Sequence, residues 1–124
     1  MYGRFGLFIG GAWQPGATGA TSPVLSPVSE RSLGDCPVAS VADTEMALAS
    51  AADGLAAWAA ASAFSRADAL HRIADEMLRR TDEAARMISL ETGKPIAQSQ
   101  REWGLSIDQF RWYAEEARRI YGRI

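Results

Sequence analysis

Two periodicities divide the chain near residue 40. Before it, apolar residues come in short runs punctuated by glycine and proline. Beyond it, they recur every third or fourth position. Leu7-Phe8-Ile9 and Ala12-Trp13 flank Gly10-Gly11. That pattern predicts a tight hairpin, because a two-residue turn needs positive φ and glycine supplies it. Gly16 to Ser22 reads as a flexible loop. Val24-Leu25 and Ser32-Leu33 flank a turn around Val28-Ser29-Glu30 and predict a second strand pair. Pro23, Pro27 and Pro37 confine these strands to edges or ends, since proline cannot donate to a ladder.

The helical pattern starts at Ser40-Val41-Ala42-Asp43, which resembles a capping box with Asp in place of Glu. Leu48, Ala51, Leu55 and Trp58 follow at helical spacing, and Gly54 weakens this helix without ending it. Ser65 is expected to cap a second helix with the stripe Leu70, Ile73, Ala74, Met77 and Leu78. Thr81 is expected to cap a third, carrying Ala84, Met87 and Ile88. Gly93 followed by Lys94-Pro95 is a stop signal, glycine at the left-handed position and proline just beyond it. A fourth helix is predicted from about Ile96 to Tyr121, with Gly122 as its cap. Its inner stripe is Trp103, Ile107, Phe110, Ala114, Ala117 and Tyr121. Arg111, Glu115 and Arg119 stand four apart and read as a solvated ion-pair row.

Composition narrows the function classes. Lys plus Arg is 13 and Asp plus Glu is 15, a net charge of -2. Binding a polyanion needs a clustered basic excess, so nucleic acid is not an expected partner. The longest apolar run, Leu55 to Ala61, is too short for a membrane span, which takes about 20 residues. The opening Arg4 and Phe5 to Ile9 are too short for a secretory signal, so a cytoplasmic location is expected. The single cysteine, Cys36, allows no intrachain disulfide. Alanine buries little area, so a core here is expected to rest on the aromatic residues and the Leu/Ile/Met set. Such a core falls short of the conformational entropy, the first sign of a piece of something larger.

Candidate chemistry is sparse. One His and one Cys offer no tetrahedral zinc spacing. No glycine-rich fingerprint follows a strand, and Gly93-Lys94 lacks the partners of a phosphate loop. His71 has no acid or nucleophile near it in sequence and reads as a partly exposed histidine without a role. Cys36, in an extended, proline-flanked segment, reads as an inert thiol. Glu91 completes the series Ala84, Met87, Ile88, Glu91, which puts a carboxylate on the apolar face of its helix. Two readings stand: a buried carboxylate, which must be paired, hydrogen-bonded or bound to a cation, or one that reaches water at a frayed helix end. A second face of the fourth helix carries Arg101, Leu105, Asp108 and Trp112. It suits either a cleft wall or an ordinary solvated surface.

Leu90-Glu91-Thr92-Gly93-Lys94-Pro95 resembles the Glu-x-Gly-Lys-Pro stretch of the NAD(P)-dependent aldehyde dehydrogenases. Four further segments agree in order and spacing. Leu7 to Trp13 is similar to that family's opening hairpin. Pro23-Val24-Leu25-Ser26-Pro27 resembles its next strand, with Ser26 where the family usually has Asn. Ala56-Ala57-Trp58 is similar to its early helix. Phe110 to Ala117 with Tyr121-Gly122 resembles the end of its long helix. The tail, Arg118 to Arg123, is most similar to the succinate-semialdehyde dehydrogenase branch.

The resemblance implies an α/β parent fold, of which this chain is a mainly helical N-terminal fragment with short antiparallel strands. Residues 1–39 would be a strand-rich segment and residues 40–124 a helical part of the cofactor-binding domain. It implies NAD or NADP as cofactor, a small-molecule aldehyde as substrate, and a homo-oligomeric parent enzyme with no membrane partner. The family's nucleophilic Cys, general-base Glu and most cofactor contacts would lie beyond Ile124, and Cys36 does not match that Cys. This chain alone would therefore be inactive. By the same resemblance Glu91 and the Val24 carbonyl would hold a monovalent cation, and Arg101 and Leu105 would flank a substrate entrance. The rival reading is a small non-catalytic helical module that binds a protein partner through its Trp-rich faces.

Overall fold

The computed structural model describes residues 6–122. Arg4 and Phe5, which entered the targeting expectation, and Arg123 and Ile124 lie outside the described residues. The first elements are β1 (Leu7–Ile9) and β2 (Ala12–Gln14), paired antiparallel with Phe8 opposite Trp13. Gly10 and Gly11 have φ of 62° and 82°, the left-handed pair that a primed two-residue turn demands. The Phe8 and Trp13 rings pack across the pair, tilted 55° to one another with centroids 5.0 Å apart.

β3 (Thr21–Leu25) pairs antiparallel with β4 (Ser32–Pro37), from Thr21 opposite Pro37 to Leu25 opposite Ser32. The expected loop therefore gives Thr21 and Ser22 to the sheet. What remains of it is a turn in which the Gly19 N–H donates to the Gly16 carbonyl at 2.9 Å. Gly16 is buried, and a Cβ there would meet the Val38 carbonyl at 2.9 Å. In the β3–β4 turn, the buried Ser26 accepts from the Val28 and Ser29 N–H groups, each at 3.4 Å. Its hydroxyl thus serves as the side-chain acceptor that favours a turn.

α1 (Val41–Ala60) begins on the expected capping box. The Asp43 N–H donates to Ser40 Oγ at 3.3 Å, and the Ser40 N–H donates to Asp43 Oδ2 at 2.8 Å. α2 (Ala63–Arg79) is capped by Ser62 rather than Ser65. The Ser65 N–H is the donor, 3.0 Å from Ser62 Oγ, so Ser65 fills the third helical position. α3 (Thr81–Thr92) follows with Arg80 alone between them, and Thr81 is its first residue, not its cap. The Thr81 hydroxyl instead donates back to the Leu78 carbonyl at 2.8 Å. α3 ends at Gly93, φ 74°, as the stop signal requires.

α4 (Ile96–Glu116) is shorter than its sequence pattern predicted. The Arg118 and Arg119 N–H groups close tight three-residue turns onto Glu115 and Glu116. Beyond Ala117 the apolar residues find no cover: Ile120 and Tyr121 are exposed, Tyr121 by 77%. Helical propensity without an apolar face to bury does not sustain further turns.

The chain divides into two compact units, one running to Ala59 and the other starting at Ala60. The first holds both hairpins and α1. The second holds α2, α3 and α4, with α4 packed on both α2 and α3. Its buried apolar residues are alanines plus one isoleucine: Ala67, Ala74, Ala85, Ile107, Ala114 and Ala117. This overturns the expected core of large side chains. Alanines fill the centre where α2 meets α4, with Leu70 against them, and larger residues of the same faces, Met77, Trp103 and Phe110, are only half-buried around it. Phe8, Trp13, Trp58, Phe64, Trp112, Tyr113 and Tyr121 are all exposed. So is the α1 stripe, Leu48 by 66% and Leu55 by 62%. Among the described residues no helix is long and apolar enough to cross a membrane.

Candidate functional site

The turn that launches α4 is tied by side chains. Ser89 Oγ donates to the Lys94 carbonyl at 2.7 Å, and Thr92 Oγ1 donates to the Ile88 carbonyl at 2.6 Å. The Lys94 ammonium pairs with Glu102 on the first turns of α4. These bonds hold the Gly93-Lys94-Pro95 corner, so the direction of α4 follows from the end of α3.

Arg101 and Leu105 lie one turn apart on the outer face of α4, and both are exposed. Asp108 and Trp112 continue the same face, also exposed. The inner face carries Ser99, Trp103, Ile107, Phe110, Ala114 and Ala117, buried or half-buried. The structure thus brings Arg101 and Leu105 together and presents a cation beside an aliphatic group. Such a pair can attract an anion and hold its apolar part.

Glu91 is exposed in the last turn of α3, while Ala84, Met87 and Ile88 of its stripe are half-buried. Val24 is half-buried in β3, opposite Gly34. Glu91 belongs to the helical unit and Val24 to the strand unit. Among the described residues no group of three or more His, Cys, Asp or Glu side chains could hold a metal ion. A cation at Glu91 would therefore draw its other ligands from carbonyl or water oxygens.

The remaining candidates fall out as follows. Cys36 is half-buried in β4, opposite Ser22, with a free thiol. His71 has an acid partner that sequence proximity could not reveal: its Nε2 lies 3.0 Å from Glu115 Oε1 across α2 and α4. Glu115 therefore leaves the predicted ion-pair row. Arg111 turns to Asp75 at 3.8 Å, Arg118 reaches Asp68 at 3.7 Å, and Arg119 pairs with Glu116. The row dissolves because α2 runs alongside and offers Asp75 to Arg111 and His71 to Glu115, while Arg119 takes Glu116 three residues back.

Sequence reasoning also missed how much Asp43 does. It is 2% exposed and accepts from the Ala17 N–H at 3.0 and 3.1 Å, besides the Ser40 N–H and hydroxyl. The Ser40 bonds, backbone first, hold its carboxyl below the usual carboxylate range, with Ala17 adding to them against the cost of burial. Asp at the third helical position signals the cap, but nothing local signals Ala17. At the α2–α3 junction Arg80 and Glu83 form a two-point pair at 2.9 and 3.0 Å. Hydrogen bonding first, then charge, lowers the Glu83 carboxyl and raises the Arg80 guanidinium.

With this geometry in view, comparison with known proteins is informative. Residues 13–124 match the model described as "Aldehyde dehydrogenase family". The chain is 36% identical over 115 residues to a glutarate-semialdehyde dehydrogenase of Pseudomonas aeruginosa, covering 93% of this chain and 24% of that protein. It is 38% identical over 117 residues to the mitochondrial succinate-semialdehyde dehydrogenase of Rattus norvegicus, covering 94% of this chain and 22% of that protein. Among solved structures, an NAD-dependent aldehyde dehydrogenase from Sinorhizobium meliloti superposes with a TM-score of 0.93 at 32% identity. That match covers 99% of this chain and 25% of the other. The chain spans about a quarter of the length of these relatives.

Proposed function

The chain belongs to the aldehyde dehydrogenase family, and from that premise we propose that it is the N-terminal part of an enzyme oxidising an aldehyde to a carboxylate with NAD or NADP. The observation that carries this reading is the family match over residues 13–124. The share of this chain in the chemistry is scaffold and substrate approach. Its strands pair only antiparallel among the described residues, and none leads through a glycine-rich turn into a helix. The residues in hand therefore do not build a dinucleotide cradle, and no step is routed through the cofactor here.

The substrate class we favour is an aldehyde that carries a carboxylate, succinate semialdehyde foremost. Arg101 supplies a cation and Leu105 an apolar surface at one exposed place on α4. Long-range attraction of an anion by such a charge raises its local concentration. Glu91 we take as an oxygen ligand of a monovalent cation, a hard donor suited to a hard ion. The full protein on this reading is a cytoplasmic homo-oligomer, and the net charge of -2 over these 124 residues suits a small-molecule partner.

The test is NADH or NADPH formation from succinate semialdehyde, and from a neutral aliphatic aldehyde, by the 124-residue chain and by the full protein that carries it. The chain alone is expected to give none, and turnover by it would overturn the scaffold assignment. In the full protein, Arg101→Ala is expected to raise KM for the carboxylated aldehyde about threefold or more and leave the neutral one unchanged. Equal effects on both would make Arg101 an ordinary surface charge.

A further inference from the structure

The outer face of α4 has no direction of its own. A helix packed through small residues can turn about its axis, and a turn of one residue step carries Arg101 and Leu105 to a different bearing. In the C-terminal half of α4 two cross-helix pairs hold the angle, Arg111 to Asp75 and Glu115 to His71, and Arg118 just past its end reaches Asp68. All three involve partly exposed groups, and exposed polar pairs of this kind tolerate rotation and give little. In the N-terminal half, where Arg101 and Leu105 sit, the inner residues are Ser99, Trp103 and Ile107. Ser99 is small and its hydroxyl turns back to the Pro95 carbonyl of its own helix at 3.4 Å.

Trp103 differs from these. Its indole Nε1–H donates to the Met77 carbonyl at 2.8 Å, a part-buried bond between α4 and the last turn of α2. The carbonyls of a helix's last turn lack full intrahelical partners. Met77 shows this: among the described residues its carbonyl otherwise accepts a longer bond, 3.2 Å from the Arg80 N–H at the cap. Indole has one N–H on a rigid ring, here half-buried, so a turn of α4 about its axis draws that N–H off the Met77 carbonyl. Trp103 stands midway in sequence between Arg101 and Leu105, on the opposite side of the helix.

We propose that Trp103 is the positioning residue of the Arg101–Leu105 face: by locking its indole N–H on the Met77 carbonyl it sets the rotation of α4 and hence the bearing of both side chains. The inference rests on the proposed substrate entrance for its functional consequence, but not for its geometry.

The experiment has two arms. In the full protein, with its other label-accessible cysteines replaced, spin labels at Leu105→Cys on α4 and Arg86→Cys on α3 report the rotation of α4 by pulsed electron resonance. Trp103→Phe keeps the ring area and removes the N–H. It is expected to shift or broaden the distance distribution while the circular dichroism of helix is kept. An unchanged distribution overturns the proposal whatever the kinetics show. In the full protein, Trp103→Phe is expected to raise KM for the carboxylated aldehyde about threefold with kcat within about twofold. That rise should disappear when Arg101→Ala is already present. A fall in thermal midpoint with KM unchanged would mean a merely structural bond and overturn the functional half. If Arg101→Ala itself leaves KM unchanged while the label distances move, the entrance reading fails and the positioning role stands.

Discussion

The strand unit and the helical unit solve the same shortage of core by different means. In the first, the buried side chain of consequence is a carboxylate. Asp43 joins the Gly16-Ala17 turn to the start of α1 through bonds from Ala17 and Ser40, while Leu48 and Leu55 stay exposed on the same helix. In the second, alanines meet at the α2–α4 crossing and polar groups ornament the rim. The contrast teaches that hydrophobicity does not by itself choose what is buried. A charged group surrounded by donors can be taken inside, and a leucine without a partner surface cannot.

The contrast breaks first at Asp43. Asp43→Asn replaces one acceptor oxygen by an NH₂ that faces the N–H donors of Ala17 and Ser40. We expect the largest loss of the set, with amide exchange at Ala17 and Ser40 rising to that of an open loop while the helical unit keeps its protection. The pH dependence has a definite sign. The folded carboxyl lies below its unfolded value, so its stabilisation is complete above about pH 4 and lost as pH falls through the folded value. An acid transition in the strand unit that survives Asp43→Asn unchanged would remove Asp43 from the explanation.

Next comes the alanine seam. Ala114 is fully buried against Ala67 and Ala117. Ala114→Leu should cost about 1–3 kcal/mol through overpacking, read as a lower denaturation midpoint for the helical unit. A stabilised protein would mean that the seam has room for a larger side chain. The smallest effect is expected at the rim. Glu115→Gln removes the carboxylate partner of His71, whose side chain is 37% exposed, and should cost about 0.5 kcal/mol or less. A loss as large as that at Ala114 would show that rim pairs hold the helical unit after all.

Much of this architecture was legible along the chain because its causes are local. Gly10-Gly11 makes the first turn, Ser40 and Asp43 cap α1, and Gly93 with Pro95 ends α3. Each needs only residues within a few positions. Errors arose where a local signal had a competing neighbour. Ser62 outbid Ser65 as a cap because its hydroxyl sits before the first turn. The pattern to Tyr121 overran because periodicity does not reveal whether a face will be covered. Arg101 and Leu105 could be paired from their spacing alone. That they stand opposite Trp103, which is bonded to Met77, could not.

By itself the sequence determined the two hairpins, the four helices and the family, since turn chemistry, caps and motif order are properties of short stretches. Only the tertiary structure decided what is buried: a carboxylate and a set of alanines, rather than the tryptophans and leucines that composition favoured. It also decided the partners of Asp43, His71 and Trp103, which lie 26, 44 and 26 residues away in the chain. Burial and long-range hydrogen bonds depend on which surfaces meet, and residue order records that only through the whole fold.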